Sequence, residues 1–377
     1  MASGSSKRRI RVGVIFGGRS GEHEVSLASA KSIMAALDPE KYEVVPLGIT
    51  REGAWLLTGD PMKALTDGKV ETPGAAAILT DPSQRGLVAF RADRPGDLAR
   101  AEGESPIDVV FPVLHGTYGE DGTIQGLLEM ANVPYVGAGV LGSAVSMDKA
   151  VMKTLLRAHG LPVLDWISFT VREWRRRREQ IALDVEVKLG YPCFVKPANL
   201  GSSVGITKAH DESELGPAVE LAAGYDAKVV VEEAAVDCRE IECSVLGNDD
   251  PEASLPGEVV PDREWYDYDS KYSNSQTQLL IPAPLSPEAT AEVRRQAIEA
   301  FKACECSGMA RVDFFVSRDE SRVLVNELNT IPGFTSISMY PKLWEATGVS
   351  YRALVDRLIQ LAIERHEQRS ALRVDRG

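Results

Sequence analysis

Between Gly308 and Met339 the chain reads GMARVDFFVSRDESRVLVNELNTIPGFTSISM. Its chemistry sits in two short pairs: Arg311 with Asp313, and Glu327 with Asn329, each one residue apart. Strand side chains alternate between faces, so Arg311, Asp313 and Phe315 share one face, and Glu327 and Asn329 share one face of the next strand. If residues 319–321 form the turn of a hairpin, Asp313 falls opposite Glu327 and Arg311 opposite Asn329. Two carboxylates and an amide oxygen beside a fixed cation outline a site for magnesium and phosphate. A hydrated polar face is the plainer account. Like charges set directly opposite one another destabilise a strand pair, however, and a cation between them removes that cost. The apolar partners Val312, Phe314, Val316, Val323 and Val325 make these core strands rather than loose hairpin tips.

Other segments offer further groups. Lys196 ends the strand-like YPCFVKPA and runs into NLGSSVG, where small residues let backbone N–H groups approach phosphate oxygens while the lysine adds charge. A Gly/Ser turn between two strands fits equally. The pattern is not G-x-x-x-x-G-K-[ST], which excludes a P-loop there. Lys149, after Ser146-Met147-Asp148, is either a second phosphate contact or a solvated lysine at a helix start. Glu232-Glu233-Ala234-Ala235 follows the apolar run KVVV, and backbone groups at a strand end can read an adenine edge. Glu240 is a candidate for ribose hydroxyls, although acids after strands are common. Gly17 to Ser26 reads as a tight turn into a helix. Glu22 near its start either stabilises the first turn or grips a substrate ammonium. The stretch Trp265–Tyr272 crowds aromatics into a polar loop, as a lid does; a satellite hydrophobic cluster is the alternative.

These groups need a framework. The 377 residues suit two or three domains, and 44% hydrophobic with 26% charged residues describes a soluble globular chain. The net charge of −13 argues against nonspecific binding to nucleic acid or anionic membrane. No apolar run reaches the roughly 18–20 residues that span a bilayer, and MASGSSKRR lacks the apolar stretch of a signal peptide. Five cysteines without a C-x-x-C pair fit a reducing compartment, with cytoplasm the expectation. Strand-like RIRVGVIFGG, a helix over EVSLASAKSIMAAL with apolar positions at Val25, Ala28, Ile33 and Leu37, then YEVVPLGIT, DVVFPVLHG and VPYVGAG imply a parallel sheet with ligands at its carboxyl strand ends. A helix over 148–159 follows, then a charged helix around WRRRREQ, read as a solvated face. More strands follow at YPCFVKPA, VGITKA, KVVVEEA, REIECSVLG and ASLPGEVV. The closing helix carries Tyr351, Leu354, Val355, Leu358, Ile359 and Ala362 at helical spacing.

In this order and spacing, GGRSGEHEVSL, LHGTYGEDGTIQG, SMDK, VKPANLGSSVG, REIECSVLG, WYDYDSKY and ARVDFFV…VNELNTIPGFTSISM resemble the D-alanine–D-alanine ligases of the ATP-grasp superfamily. The resemblance runs from about Val12 to Leu358, apart from the variable stretch 58–105. It implies an α/β fold, α+β within the ATP-grasp lobes: an N-terminal parallel-sheet domain over 1–144, a central lobe over 145–247 and a C-terminal lobe over 248–377. It also implies ATP-dependent, ADP-forming joining of two D-alanine molecules through a D-alanyl phosphate, in cytoplasmic peptidoglycan precursor synthesis, by a homodimer. ATP and two Mg2+ or Mn2+ ions are implied, and K+ is a candidate monovalent ion. Ligation of D-alanine to D-lactate or D-serine is the alternative within the superfamily. A non-catalytic nucleotide-binding regulator would have lost a metal ligand or Arg311, and all are present.

By the same resemblance, Asp313, Glu327 and Asn329 hold the metal ions. Lys149 and Lys196 contact the α and β phosphates, and Lys271 on the lid reaches the γ-phosphate. Glu232 and Ala235 read adenine, Glu240 the ribose, and Phe315 packs on the ring. Glu22 pairs with the ammonium of the first D-alanine, and His115 lies near that subsite. Arg311 and the Gly333 N–H stabilise the oxyanion, while Ser338 and Met339 hold the carboxylate of the second D-alanine. Ser202 links Glu22 to Tyr272, a tyrosine that accompanies dipeptide rather than D-lactate ligation. The hinge residues Ala234-Ala235 are smaller than the bulky apolar residues often found there.

Overall fold

The run IRVGVIFG is apolar at nearly every position, as a strand covered on both faces must be. It forms β1 (Ile10–Gly17), in which Val12, Val14, Ile15 and Phe16 are fully buried. The computed structural model describes residues 8–57, 59–69, 76–81, 87–90, 98–99, 106–201, 203–261 and 277–373. After β1 come α1 (His23–Ala36), β2 (Tyr42–Ile49), β3 (Trp55–Leu56) and α2 (Pro61–Asp67). Three short strands, β4 (Ala76–Ile78), β5 (Leu87–Phe90) and β6 (Leu98–Ala99), pair as a small antiparallel sheet. The next strand is β7 (Val109–Val113). The main N-terminal sheet has the order β3-β2-β1-β7, with β1 parallel to both β2 and β7 as the βαβ rhythm implies. Helices α3 (Thr123–Met130) and α4 (Val140–Met147) follow.

Two expectations change here. VPYVGAG is not a strand: it makes a single bridge, Val110 to Tyr135. Gly137 at φ +95° breaks the extension, and Arg365 takes the carbonyls of Tyr135 and Gly137 that a neighbouring strand would have taken. In α1, Ile33 and the C-cap Leu37 are buried as their spacing implies, but Ala28 is exposed and Val25 only half-buried; His23, Ser26, Ser29 and Ala30 complete the inward face. Small hydroxyls are selected there because they hold backbone groups. Ser26 Oγ accepts from Gly17 N–H at 2.7 Å and donates to Val113 O.

The central lobe begins with α5 (Lys149–Ala158), capped by Asp148, whose carboxylate accepts from the N–H groups of Ala150 and Val151. Next come β8 (Trp166–Thr170), α6 (Val171–Lys188), β9 (Cys193–Pro197), β10 (Thr207–Ala209), α7 (Glu212–Ala223) and β11 (Lys228–Glu233). The sheet is antiparallel, ordered β10-β9-β11-β8. Alternation sorts it. Val195, Val229 and Val231 pack under α6 and α7 with Trp174, Val185 and Val219. That leaves Lys196, Val230 and Glu232 on the other face.

The last lobe contains β12 (Cys238–Gly247), β13 (Glu252–Ala253), β14 (Gly257–Val260), β15 (Gln278–Leu280), α8 (Pro287–Ala303), β16 (Gly308–Ser317), β17 (Val323–Asn329), α9 (Met339–Thr347) and α10 (Tyr351–Ser370). Its sheet, β15-β14-β12-β16-β17 with β13 beside β12, is also antiparallel. Ile241, Cys243, Val312, Phe314, Val316 and Val325 pack against Val293, Ala297 and Phe301 of α8, joined by Met152 and Leu156 of α5. Helix α10 turns back onto the first lobe, where Leu354, Leu358 and Ile359 share a core with Val12, Val14, Ile33 and Phe111. The first and last lobes are therefore fused through apolar contact. Among the described residues no helix is long and apolar enough to cross a membrane.

Candidate active site

The β16–β17 ladder pairs Arg311 with Asn329 and Asp313 with Glu327, as the hairpin expectation required. A bulge makes this possible. Beyond Asp313 the register slips by one, so that Phe314 meets Val325 and Asn326 has no opposite number. Val325 and Glu327 would share a face in a regular strand. The extra residue sends Val325 into the core and leaves Glu327 beside Asp313.

On the other side of β16, Glu242 of β12 pairs with Asp313, so three acids form a row across three strands. Arg311 neutralises them. Its Nε and Nη2 donate to the two carboxylate oxygens of Asp313 at 2.7 and 2.8 Å, and Nε lies 3.0 Å from Glu242 Oε2. Burial alone would lower the arginine's pKa, but Asp313, Glu242 and Glu327 outweigh it and hold the charge firmly. Asn329 Nδ2 donates to Asp313 at 3.0 Å. Lys149 Nζ reaches Glu327 at 3.6 Å and donates to Leu200 O at 2.8 Å.

This donor set suits a magnesium ion in chemistry. Two carboxylates and an amide oxygen are hard donors, and magnesium commonly takes one or two carboxylates and completes its shell with phosphate oxygens and water. Among the described residues no three of His, Cys, Asp and Glu gather into an all-protein cage. Any ion held here must share its coordination with a ligand.

Facing this row is a basic wall. Lys196 Nζ donates to Glu232 Oε2 at 2.6 Å, and Lys153 Nζ lies 3.5 Å from Glu232 Oε1. Burial would raise the glutamate's pKa, yet Lys153 and Lys196 outweigh it and keep the carboxylate ionised, with a lowered pKa. Burial in turn pulls Lys153 below the ordinary lysine value, against the attraction of Glu232. Between the two walls is a cleft of about 520 Å³. Ala235, Glu240 and Phe315 line it alongside Lys196, Arg311, Asp313 and Glu327. The Glu232 carboxylate itself is 1% exposed and held by the two lysines, so at this position only the strand-end backbone is open to the cleft.

The N-terminal lobe brings Glu22 to the edge of this site. Gly17, at φ +90°, tolerates no side chain, because a Cβ would come within 2.2 Å of Ile49 O. The turn delivers Glu22 to the N-cap of α1. Its carboxylate lies against Gly116 and Gly201, where a Cβ would sit 3.0 and 3.3 Å from Glu22 Oε2. His115 lies behind it, 3% exposed, with Nδ1 at 2.8 Å from Ile331 O. Burial lowers the histidine's pKa, so the ring is neutral. Glu120 is pushed up to about 8 by burial and by the nearby Glu22. Ser338 Oγ accepts from Thr335 N–H at 3.0 Å and lies beside Gly333. Met339 turns its side chain into a core with Val259 and Leu343.

Glu22, Lys149, Lys196, Glu232, Ala235, Glu240, Arg311, Asp313, Phe315, Glu327 and Asn329 thus surround one cleft and its N-terminal rim, with His115, Gly333 and Ser338 just behind. Ser202, Lys271 and Tyr272, with the rest of the aromatic stretch, lie outside the described residues. Three groups escaped the sequence reading: Lys153, Glu242 and Glu120. Lys153 sits one helical turn after Lys149 and Glu242 two residues after Glu240, so periodicity alone places each beside a named candidate.

The chain is similar to known proteins over nearly its whole length. The family model described as D-ala D-ala ligase N-terminus matches residues 11–138, and that described as D-ala D-ala ligase C-terminus matches residues 155–360. A curated D-alanine–D-alanine ligase from Natranaerobius thermophilus is 50% identical over 363 residues, covering 96% of this chain and 97% of its own. Among solved structures, the D-alanine-D-alanine ligase from Coxiella burnetii superposes with a TM-score of 0.81 at 40% identity over 96% of each chain. A D-Ala:D-Ser ligase from Enterococcus faecalis gives 0.82 at 36% identity, covering 94% of this chain and all of that one. The expected architecture, an N-terminal sheet that is parallel apart from its edge strand β3, followed by two lobes with antiparallel sheets, is the ATP-grasp arrangement of these neighbours. With both family models matched and the likeness spanning nearly the whole chain, this protein belongs to the D-alanine–D-alanine ligase family.

Proposed function

We propose that the chain uses ATP to join two D-alanine molecules into D-alanyl-D-alanine, for peptidoglycan precursor synthesis. The observation that carries this reading is the pairing of opposite charge excess across one cleft, with Lys149 reaching between the walls. Asp313, Glu327 and Asn329 would hold two Mg2+ or Mn2+ ions, which when bound would supply neutralisation of phosphate charge.

The chain's own residues do the rest. Lys149 and Lys196 take phosphate oxygens, Lys271 is assigned the terminal phosphate, and Glu232, Ala235, Glu240 and Phe315 surround the nucleoside. Glu22 pairs with the ammonium of the first D-alanine, whose carboxylate receives the phosphoryl group. The amine of the second D-alanine attacks that carbonyl, and phosphate leaves. Arg311 and the Gly333 N–H donate to the oxyanion, where fixed donors in a dry site act most strongly. Ser338 and the Met339 backbone hold the second carboxylate, and Ser202 and Tyr272 are assigned to the same site as Glu22. The attacking amine must be neutral, and a free α-amino group titrates at about 7.7–8.0, so turnover rises on the alkaline side.

We place the chain in the cytoplasm as a homodimer of three-lobed subunits. The first lobe covers 1–144. The central lobe covers 145–247 and the last 248–377, with β12 counted in the sheet of the last because it pairs along its length with β16. The test is phosphate release from ATP with D-alanine, L-alanine, D-serine or D-lactate as acceptor, with and without Mg2+ and K+. Magnesium-dependent release with D-alanine alone supports the reading. Preference for D-serine or D-lactate would move the chain to the related ligases.

A further inference from the structure

The turn after β17 runs through Ile331, Pro332, Gly333 and Phe334, and side chains of the N-terminal lobe grip it at both ends. Ile331 N–H donates to Glu120 Oε1 at 3.0 Å, and Ile331 O lies 2.8 Å from His115 Nδ1. Phe334 N–H donates to Ser29 Oγ at 3.1 Å. A ring nitrogen facing a carbonyl must carry the proton, so His115 Nδ1 donates. Its Nε2 is then an acceptor for the Ser29 hydroxyl, 3.4 Å away. The hydrogen bonds run from Phe334 through Ser29 and His115 to Ile331, enclosing Gly333 between them.

Glu120 ties this turn to a second place. Its Oε2 accepts from Gly116 N–H at 2.7 Å, and Gly116 is the residue against which the Glu22 carboxylate packs. One carboxyl group thus holds the loop beneath Glu22 with one oxygen and the strand leading to Gly333 with the other. Only a carboxyl can accept from both N–H groups at once; an amide would turn its NH2 toward one of them. Burying an acid beside another acid is a costly way to make an ordinary staple, and such groups concentrate at functional sites.

The geometry points to Glu120 as a positioning residue that, with His115 and Ser29, sets the Gly333 N–H relative to the first-substrate acid Glu22. This rests on the oxyanion role given to Gly333 above. Misplacing a donor by about 1 Å costs up to about 10²-fold in rate, so Glu120→Gln should lower kcat for dipeptide formation about 10- to 100-fold. The KM for ATP should stay within about twofold, because no residue that lines the nucleotide cleft is touched. Amide hydrogen exchange at Ile331 and Phe334 should quicken about tenfold, as local opening becomes easier. Ser29→Ala, which removes the Phe334 acceptor, should act in the same direction with a smaller loss, and it decides the matter if Glu120→Gln fails to fold. Parental kcat and parental exchange in a folded variant overturn the proposal. So does a kcat loss matched by an equal rise in KM for ATP, which would mark a general structural defect. If the parent makes no dipeptide, the ligase reading falls, and the exchange measurements still judge the clamp.

Discussion

Two charged clusters face each other across the cleft, and they are built with opposite excess. On the β9–β11 side, Lys153 and Lys196 share the single carboxylate of Glu232, in a setting almost closed to solvent. On the β12–β16–β17 side, Arg311 serves Asp313 and Glu242 with Glu327 close by, and this wall is partly open. A surplus cation and a surplus acid on opposite walls leave room for a ligand that carries both signs, phosphate and divalent cation together. The buried wall can be rigid because its charges are internally answered. The open wall holds acids whose present partners are cations that a metal ion could relieve. The global charge of −13 makes the local basic wall the more telling, since it works against the field of the whole chain.

The sharpest way to break this comparison is Asp313→Asn. If the open wall holds the metal ions, phosphate release with D-alanine should fall about 10³-fold or more, because several kcal/mol of charge stabilisation disappear at a factor of ten per 1.36 kcal/mol. A loss under about tenfold would place the metal elsewhere.

Next comes Glu232→Gln, which strands two buried lysines and should cost about 3–5 kcal/mol of unfolding free energy at pH 7, read by urea titration. Burial pushes Glu232 up, but the two lysines hold it below its ordinary value of 4.5. Its stabilisation is therefore complete above pH 4.5 and lost as pH falls through the folded value, so the gap between parent and variant should close in acid. A constant gap from pH 7 to 3 would contradict the assignment.

Glu120 should show the opposite sign. Burial, then Glu22, raise it to about 8 against partial relief from the Gly116 and Ile331 amides and Arg311. The unfolded chain loses that proton near 4.5 while the folded chain keeps it to about 8, so stability declines across this range. Thermal midpoints of Glu120→Gln should lack that decline; parallel slopes would refute it. The smallest effect belongs to the exposed ion pairs of Arg295 with Glu292 and Glu299 on α8. Arg295→Ala should change stability by no more than about 0.5 kcal/mol, the usual worth of solvated pairs.

Legibility in the sequence followed range. Arg311 and Asp313 were readable because strand alternation is local, and Lys149 because an Asp148 cap precedes it. The parallel pairing in the first sheet was readable from β1 and β7, whose runs are almost wholly apolar. The stretch VPYVGAG was misread as a strand because Arg365, more than 200 residues away, takes its carbonyls. The inward face of α1 was legible only in part: Ile33 and Leu37 are buried, but its serines look like solvent-facing residues until Gly17, Val113 and Phe334 supply their partners. Glu120 stood in a quoted motif without a role, since its two donors come from separate lobes.

By itself, the order of residues determined which groups are chemically capable and which neighbours share a face, because side-chain period and capping are set within a few positions. Tertiary structure alone decided that a bulge after Asp313 turns Val325 inward while leaving Glu327 at the cleft. It also decided that Lys153 and Lys196 converge on one glutamate, and that the N-terminal lobe grips the turn carrying Gly333. Those outcomes depend on burial and on hydrogen bonds between distant segments, whose energies appear only when the chain has closed on itself.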